Sequence, residues 1–155
     1  MAFAAVQAYA AMLQFVGHLA PENEVQAAPV VSDASGVAMF SIDPETFEFK
    51  GFMHVQRLSG PVVGYHIHRG AVGVSGPVIV NLIDSSIYDT RVETKNGLTK
   101  ITFSGVLVDR EVGGVLVTKE AILQEILSGD TYFNVHTPNW PAGEVRGQVQ
   151  TGAGA

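Results

Sequence analysis

Val62-Val63-Gly64-Tyr65-His66-Ile67-His68-Arg69-Gly70 is a β-branched and aromatic run near the middle of the chain, and it reads as a strand. Alternate residues of a strand point to the same face, so His66 and His68 aim both imidazoles at one spot. Val63, Tyr65 and Ile67 line the opposite face. A third histidine lies in Tyr132-Phe133-Asn134-Val135-His136-Thr137, a second strand-like alternation. Whether the three imidazoles meet decides what the chain can do.

The rest of the sequence reads in the same way. Phe47, Phe49, Gly51, Met53 and Val55 alternate with Glu48, Lys50, Phe52, His54 and Gln56. That is the period-two pattern of a half-buried antiparallel strand over 47–57, set off from a strand over 36–43 by the turn 43–46. Further strands are predicted over 12–19, 78–83, 98–109 and 144–151. Residues 84–97 read as a strand edge with loops, and 20–29 as a proline-bounded polar loop over the surface. The glycines between Gly70 and Pro77 read as turn residues. Thr118 caps a helix over 119–128, its Ile122, Leu123, Ile126 and Leu127 stripe packs on the core, and Gly129 stops it. Short, turn-punctuated strands with one late helix predict an all-β fold, an antiparallel sandwich or barrel. The domain is expected over 13–151, after an Ala-rich arm or short helix within 1–12.

Composition narrows the function classes. The 155 residues suffice for one core, and the net charge of −6, with no run of Lys or Arg, argues against nucleic acid. The absence of cysteine excludes disulfides, thiolate metal sites and a Cys nucleophile. No stretch approaches the roughly 18–20 apolar residues of a membrane span. Ala8-Tyr9-Ala10 is reminiscent of a cleavage site, but a basic n-region and a longer apolar core are missing, which leaves the compartment open. No Gly-x-Ser-x-Gly elbow is present, so a serine hydrolase is not expected. Sandwich edges and the N-terminal arm would allow a homodimer.

The last hairpin carries a register argument. Pairing 131–137 with 144–151 sets His136 opposite Glu144, Asn134 opposite Arg146, and Tyr132 opposite Gln148. These six then share one face, with Phe133, Val135, Val145 and Val149 on the other. A slip of one residue would bury the charges and expose the valines. Trp140 falls in the connecting loop 138–143, as a lid over the site or a cap on the sandwich end.

Gly60–Gly70 as a segment, with Gly76-Pro77-Val78-Ile79-Val80-Asn81-Leu82 after it, resembles the central motif of the chordin (CHRD) domain. So does Gly129-Asp130-Thr131-Tyr132-Phe133-Asn134-Val135-His136-Thr137, followed by Pro141-Ala142-Gly143-Glu144-Val145-Arg146-Gly147-Gln148. Leu19-Ala20-Pro21-Glu22-Asn23-Glu24-Val25 is similar to the family's opening, though Gln26-Ala27-Ala28-Pro29 stands where a Pro-Pro pair is usual. The resemblance spans about 13–150. It implies an antiparallel β-sandwich of Greek-key type, often secreted, whose biochemical role is undefined for most members. In chordin the repeats belong to an extracellular antagonist of bone morphogenetic proteins. The His-x-His strand is also similar, locally, to the ligand pair of Cu/Zn superoxide dismutases, without their ligand-rich loop or disulfide.

Three functions follow. His66, His68 and His136 supply three neutral nitrogens for Zn²⁺ or Cu²⁺ and leave a fourth position open, with Glu144 orienting an imidazole or acting as a further ligand. Alternatively the same histidines work without metal as acid/base groups beside Glu144, with Arg146 holding an anionic or enolate oxygen of a small organic substrate. That enzyme would be an isomerase, cyclase or lyase, and Tyr132, Asn134, Trp140 and Glu24 would contact its substrate. The third option is a non-catalytic extracellular interaction module, in which the imidazoles bond to Glu24, Glu144 or backbone. The plain alternative for Glu144 and Arg146 is a salt bridge worth at most about 1 kcal/mol if exposed. His18 and His54 read as ordinary strand residues.

Overall fold

A computed structural model describes residues 11–152; the arm or helix expected within 1–12 falls, for 1–10, outside the described residues. In chain order the elements are β1 Leu13–Leu19, β2 Ser35–Ile42, β3 Glu48–Gln56, β4 Gly64–Arg69, β5 Val78–Val80, β6 Asp89–Lys95 and β7 Leu98–Val106. Then come β8 Arg110–Val112, β9 Val115–Val117, α1 Lys119–Ser128, β10 Thr131–Thr137, β11 Trp140–Gln148 and β12 Gln150–Thr151. Antiparallel pairing builds a six-stranded sheet, β12-β1-β2-β3-β7-β6, and a four-stranded sheet, β11-β10-β4-β5. A small β8-β9 ribbon, absent from the sequence reading, sits outside them. The all-β sandwich with one short helix is as expected.

The alternation predicted from sequence is what fills the space between the sheets. Phe15, Ala38, Phe40, Met53, Val55, Ile101 and Phe103 point inward from the larger sheet, and Tyr65, Ile67, Phe133, Val135 and Val145 from the smaller. Phe133 is fully buried, a contribution of roughly 2–3 kcal/mol for a side chain of that size. Gly17 makes room for it, since a Cβ there would stand 2.6 Å from Phe133 Cδ2. α1 begins on the Thr118 cap, whose hydroxyl accepts from the Ala121 amide at 3.2 Å. It ends on Gly129 in the left-handed region (φ 85°), buries Ile122, Leu123 and Ile126, and is tied to β4 by a bidentate Arg69–Glu125 pair.

The segment 84–97 is a strand edge with loops, as expected: β6 lies at the edge of the larger sheet, paired along β7. Three local expectations need correction. Phe47 is not in β3; it closes the preceding turn at φ 61°, with its amide donating to the Asp43 carbonyl. Residues 20–26 do not wander. Ala20 bridges Arg146 in both directions (3.0 and 3.1 Å), Asn23 donates to the Arg146 carbonyl, and Gln26 to that of Gly143. Finally, the last hairpin turns tightly at Pro138-Asn139, so Trp140 opens β11 opposite Thr137 and is not a loop residue. No described helix is long and apolar enough to cross a membrane.

Candidate functional site

The central strands of the four-stranded sheet hold the site. Pairing of β10 with β4 sets Tyr132 opposite His68, Asn134 opposite His66, and His136 opposite Gly64. Because Phe133, Val135, Tyr65 and Ile67 are committed to the core, these polar side chains all fall on the outer face. Gly64 carries the third imidazole's space: a Cβ there would lie 3.0 Å from His66 Cε1 and 3.3 Å from His136 Cδ2. The three imidazoles do meet. One ring nitrogen from each lies within 4.8 Å of the others, and the His66 and His136 ring centroids are 4.9 Å apart.

Backbone carbonyls fix the tautomers. His68 Nδ1 is 2.9 Å from the Gly76 carbonyl and His136 Nδ1 is 3.0 Å from that of Pro141. A carbonyl only accepts, so both Nδ1 atoms donate and both Nε2 atoms keep their lone pairs. His66 Nδ1, 3.1 Å from His136 Nε2, then donates to it. His68 Nε2 is left buried with no partner. Burial, reinforced by the charges of His136, His68 and Arg110, pushes His66 down to about 3. Burial also lowers His68 and His136 against the opposing pull of their carbonyl bonds, so all three rings are neutral at neutral pH.

Glu144 is not part of this cluster. The hairpin keeps the expected Asn134–Arg146 and Tyr132–Gln148 pairs, but its register shifts beyond Val135, and the stretch 141–144 bulges. Gly143, at φ 126°, takes the outward position, and Glu144 turns inward. Its fully buried carboxylate accepts from Ser32 Oγ (2.6 Å), Thr137 Oγ1 (2.7 Å), Ser59 Oγ (2.8 Å) and the Ser59 amide (2.9 Å). Burial would raise its pKa; the hydrogen bonds outweigh that and hold it low. The bulge orients His136 through the Pro141 carbonyl, the task the sequence suggested for Glu144. Trp140 is half-buried, and its indole makes no ring contact with the imidazoles among the described residues.

The remaining predicted residues form a second group on the same face. Tyr132 stacks on His68, with centroids 4.8 Å apart and planes 8° from parallel, and the Arg146 guanidinium carbon stands 3.4 Å over the other side of its ring. The β4–β5 loop folds over this row. Gly76 donates its amide to the Tyr132 hydroxyl, Arg146 Nη2 donates to the Ala71 carbonyl (2.9 Å), and Gln148 to that of Gly70 (2.8 Å). Asn134 donates to both Glu24 and the Val145 carbonyl. A Cβ at Gly143 would come within 2.6 Å of Asn134 and Glu24, so the glycine permits that contact. Burial raises Glu24 to about 7, against the Asn134 and Gln26 bonds and the Arg146 charge.

Beside Arg146 and Glu24 opens a cleft of about 430 Å³, bordered also by His18, Val25, Val72 and Gln148. In sequence His18 reads as an ordinary strand residue. Its outward position in β1 is legible from alternation, but its neighbour Arg146 becomes visible only once Ala20 is seen to bridge β11.

Compared with known protein families, residues 15–149 match the CHRD domain. Comparison with curated proteins and with solved structures finds no match. The matched span runs from β1 to just past β11 and contains both strands of the clustered histidines, β4 and β10, with the bulge that orients His136 and the Arg146 cleft. The chain belongs to the CHRD domain family.

Proposed function

We propose that His66, His68 and His136 bind one divalent transition metal ion, zinc or copper, on the outer face of the four-stranded sheet. The observation that carries the reading is the His68 Nε2 lone pair, buried without a partner beside the ring nitrogens of the other two histidines. A buried acceptor without a donor costs about 1–3 kcal/mol, and a cation among three imidazoles replaces that cost with a coordinate bond. Zn–N bonds of about 2.0–2.1 Å place tetrahedral ligand atoms about 3.3 Å apart. The 3.1 Å between His66 Nδ1 and His136 Nε2 is close to that edge, and ring nitrogens of all three lie within 4.8 Å, so the imidazoles close in by a small rotation on binding.

His68 and His136 enter through Nε2 with Nδ1–H held by a carbonyl, a common arrangement for metal-bound histidine. His66 enters through Nδ1 once its proton moves to Nε2. Neutral rings spare the metal competition from protons. Three nitrogen ligands suit zinc or copper(II) and leave a fourth position for water or a substrate, beside Asn134 and Tyr132. Proton transfer without metal has less support, because Glu144 is occupied inside the sheet and burial keeps the imidazoles weakly basic.

Calorimetric titration of chelator-stripped protein with Zn²⁺ tests this. One equivalent binds to the native chain, and His66→Ala, His68→Ala and His136→Ala each weaken it by roughly a hundredfold or more. Absence of uptake, or variants that bind like the native chain, contradicts the proposal and leaves an interaction module as the better reading.

A further inference from the structure

We infer that the cleft beside Arg146 is a second site, separate from the histidine centre, that binds a small organic monocarboxylate through the Arg146 guanidinium. Arg146 is 2% exposed, yet among the described residues it forms no salt bridge, and Nη2 is its one nitrogen with a hydrogen-bond partner. A guanidinium carries five N–H donors, so most of its capacity is unspent. Neither Nε nor Nη1 is among the sealed atoms left without a partner, so both keep access to the cleft as free donors, and such a guanidinium readily takes up a carboxylate. Glu24 acts on Arg146 through its charge without a salt bridge, its carboxyl accepting from Asn134 instead.

The surroundings select the anion. The guanidinium carbon 3.4 Å over the Tyr132 ring and Nη2 on the Ala71 carbonyl hold the group in place, and a planar fork matches a carboxylate in two parallel hydrogen bonds. Glu22 and Glu24 both border the cleft, which disfavours a dianion such as sulfate. With its carboxyl raised to about 7, Glu24 is largely protonated in mildly acidic solution and can donate to the second carboxylate oxygen. Gln148 and His18 add polar contacts, while Val25 (37% exposed) and Val72 (80% exposed) give an apolar wall for a short hydrocarbon body. A volume of about 430 Å³ lies in the range of small-molecule sites, roughly 300–1,000 Å³.

The site stands independently of the metal proposal, so its test is run on the full chain stripped of metal with EDTA that is then removed by dialysis. Propionate, benzoate and inorganic sulfate are titrated at pH 6.5 and followed by amide chemical shifts. Saturable shifts at residues 22–25 and 71–73 are expected with benzoate and propionate, and weaker binding of sulfate. Arg146→Lys weakens benzoate about tenfold or more, since a point charge replaces the fork. Val72→Asp, on an exposed loop position that leaves folding intact, weakens it about fivefold by repulsion. Lack of saturation by either carboxylate overturns the inference, as does sulfate binding more tightly than both. A folded Arg146→Lys that binds like the native chain overturns it too. If Arg146→Lys does not fold, unchanged affinity in Val72→Asp does the same.

Discussion

His68 and Tyr132 face each other across β4 and β10 with their rings stacked 4.8 Å apart, and both reach the backbone of Gly76. One loop residue therefore sets the tautomer of a proposed ligand and anchors the ring that supports it. Gly76 has to be glycine, because a Cβ would lie 1.7 Å from the Arg69 carbonyl oxygen. Tyr132→Phe keeps the stack and loses the hydroxyl bond, costing about 1 kcal/mol in urea unfolding. Tyr132→Leu removes the stack as well and is expected to lower zinc affinity by about tenfold, as loss of an orienting partner does.

Gly64→Ala separates the centre from the fold. The new methyl group would crowd His66 and His136 but no core residue, since Gly64 shares the outer face with the histidines. Zinc affinity is expected to fall by roughly 10–100-fold, with a change in stability of about 1 kcal/mol or less. Calorimetry and urea unfolding on the same preparation check both halves.

The metal-free protein is expected to be most stable in mildly acidic to neutral solution, for two opposed reasons. Glu24 is raised in the fold to about 7, so the native state holds a proton that the unfolded chain releases above about 4.5, and its stabilisation is lost as pH rises through 7. The histidines are lowered, His66 to about 3, so the unfolded chain takes up protons below about 6.5 and stability falls with further acidification. The Glu24 contribution has a ceiling of about 3 kcal/mol, roughly halved for solvent access. Glu24→Gln keeps the acceptor for Asn134 and removes the Glu24 part alone, so the stability of the native chain relative to this variant falls between about pH 5 and 7, which thermal unfolding of both across that range would show. A difference that stays level or grows with pH contradicts the assignment.

The sandwich, its inward faces and the convergence of the three histidines were legible because strand alternation is a local signal with a strict period. His66 and His68 are fixed by two residues of spacing, and His136 by the valine and phenylalanine that its strand must bury. Glu144 was misplaced because alternation fails at a bulge, and only the Ser32, Ser59 and Thr137 donors, distant in sequence, show why the carboxylate turns inward. Residues 20–29 read in sequence as a polar surface loop because the anchors of 20–26, Arg146 and Gly143, lie more than a hundred residues away. The β8-β9 ribbon is too short, three residues a side, to show a period.

The central claim is met most directly by elemental mass spectrometry of the full chain, purified without a histidine tag and without added metal. Near-stoichiometric zinc or copper is expected in the native protein, and little in His66→Ala, His68→Ala and His136→Ala purified alongside it. A native protein that carries neither metal, or three variants that retain as much as the native chain, contradicts the three-histidine centre.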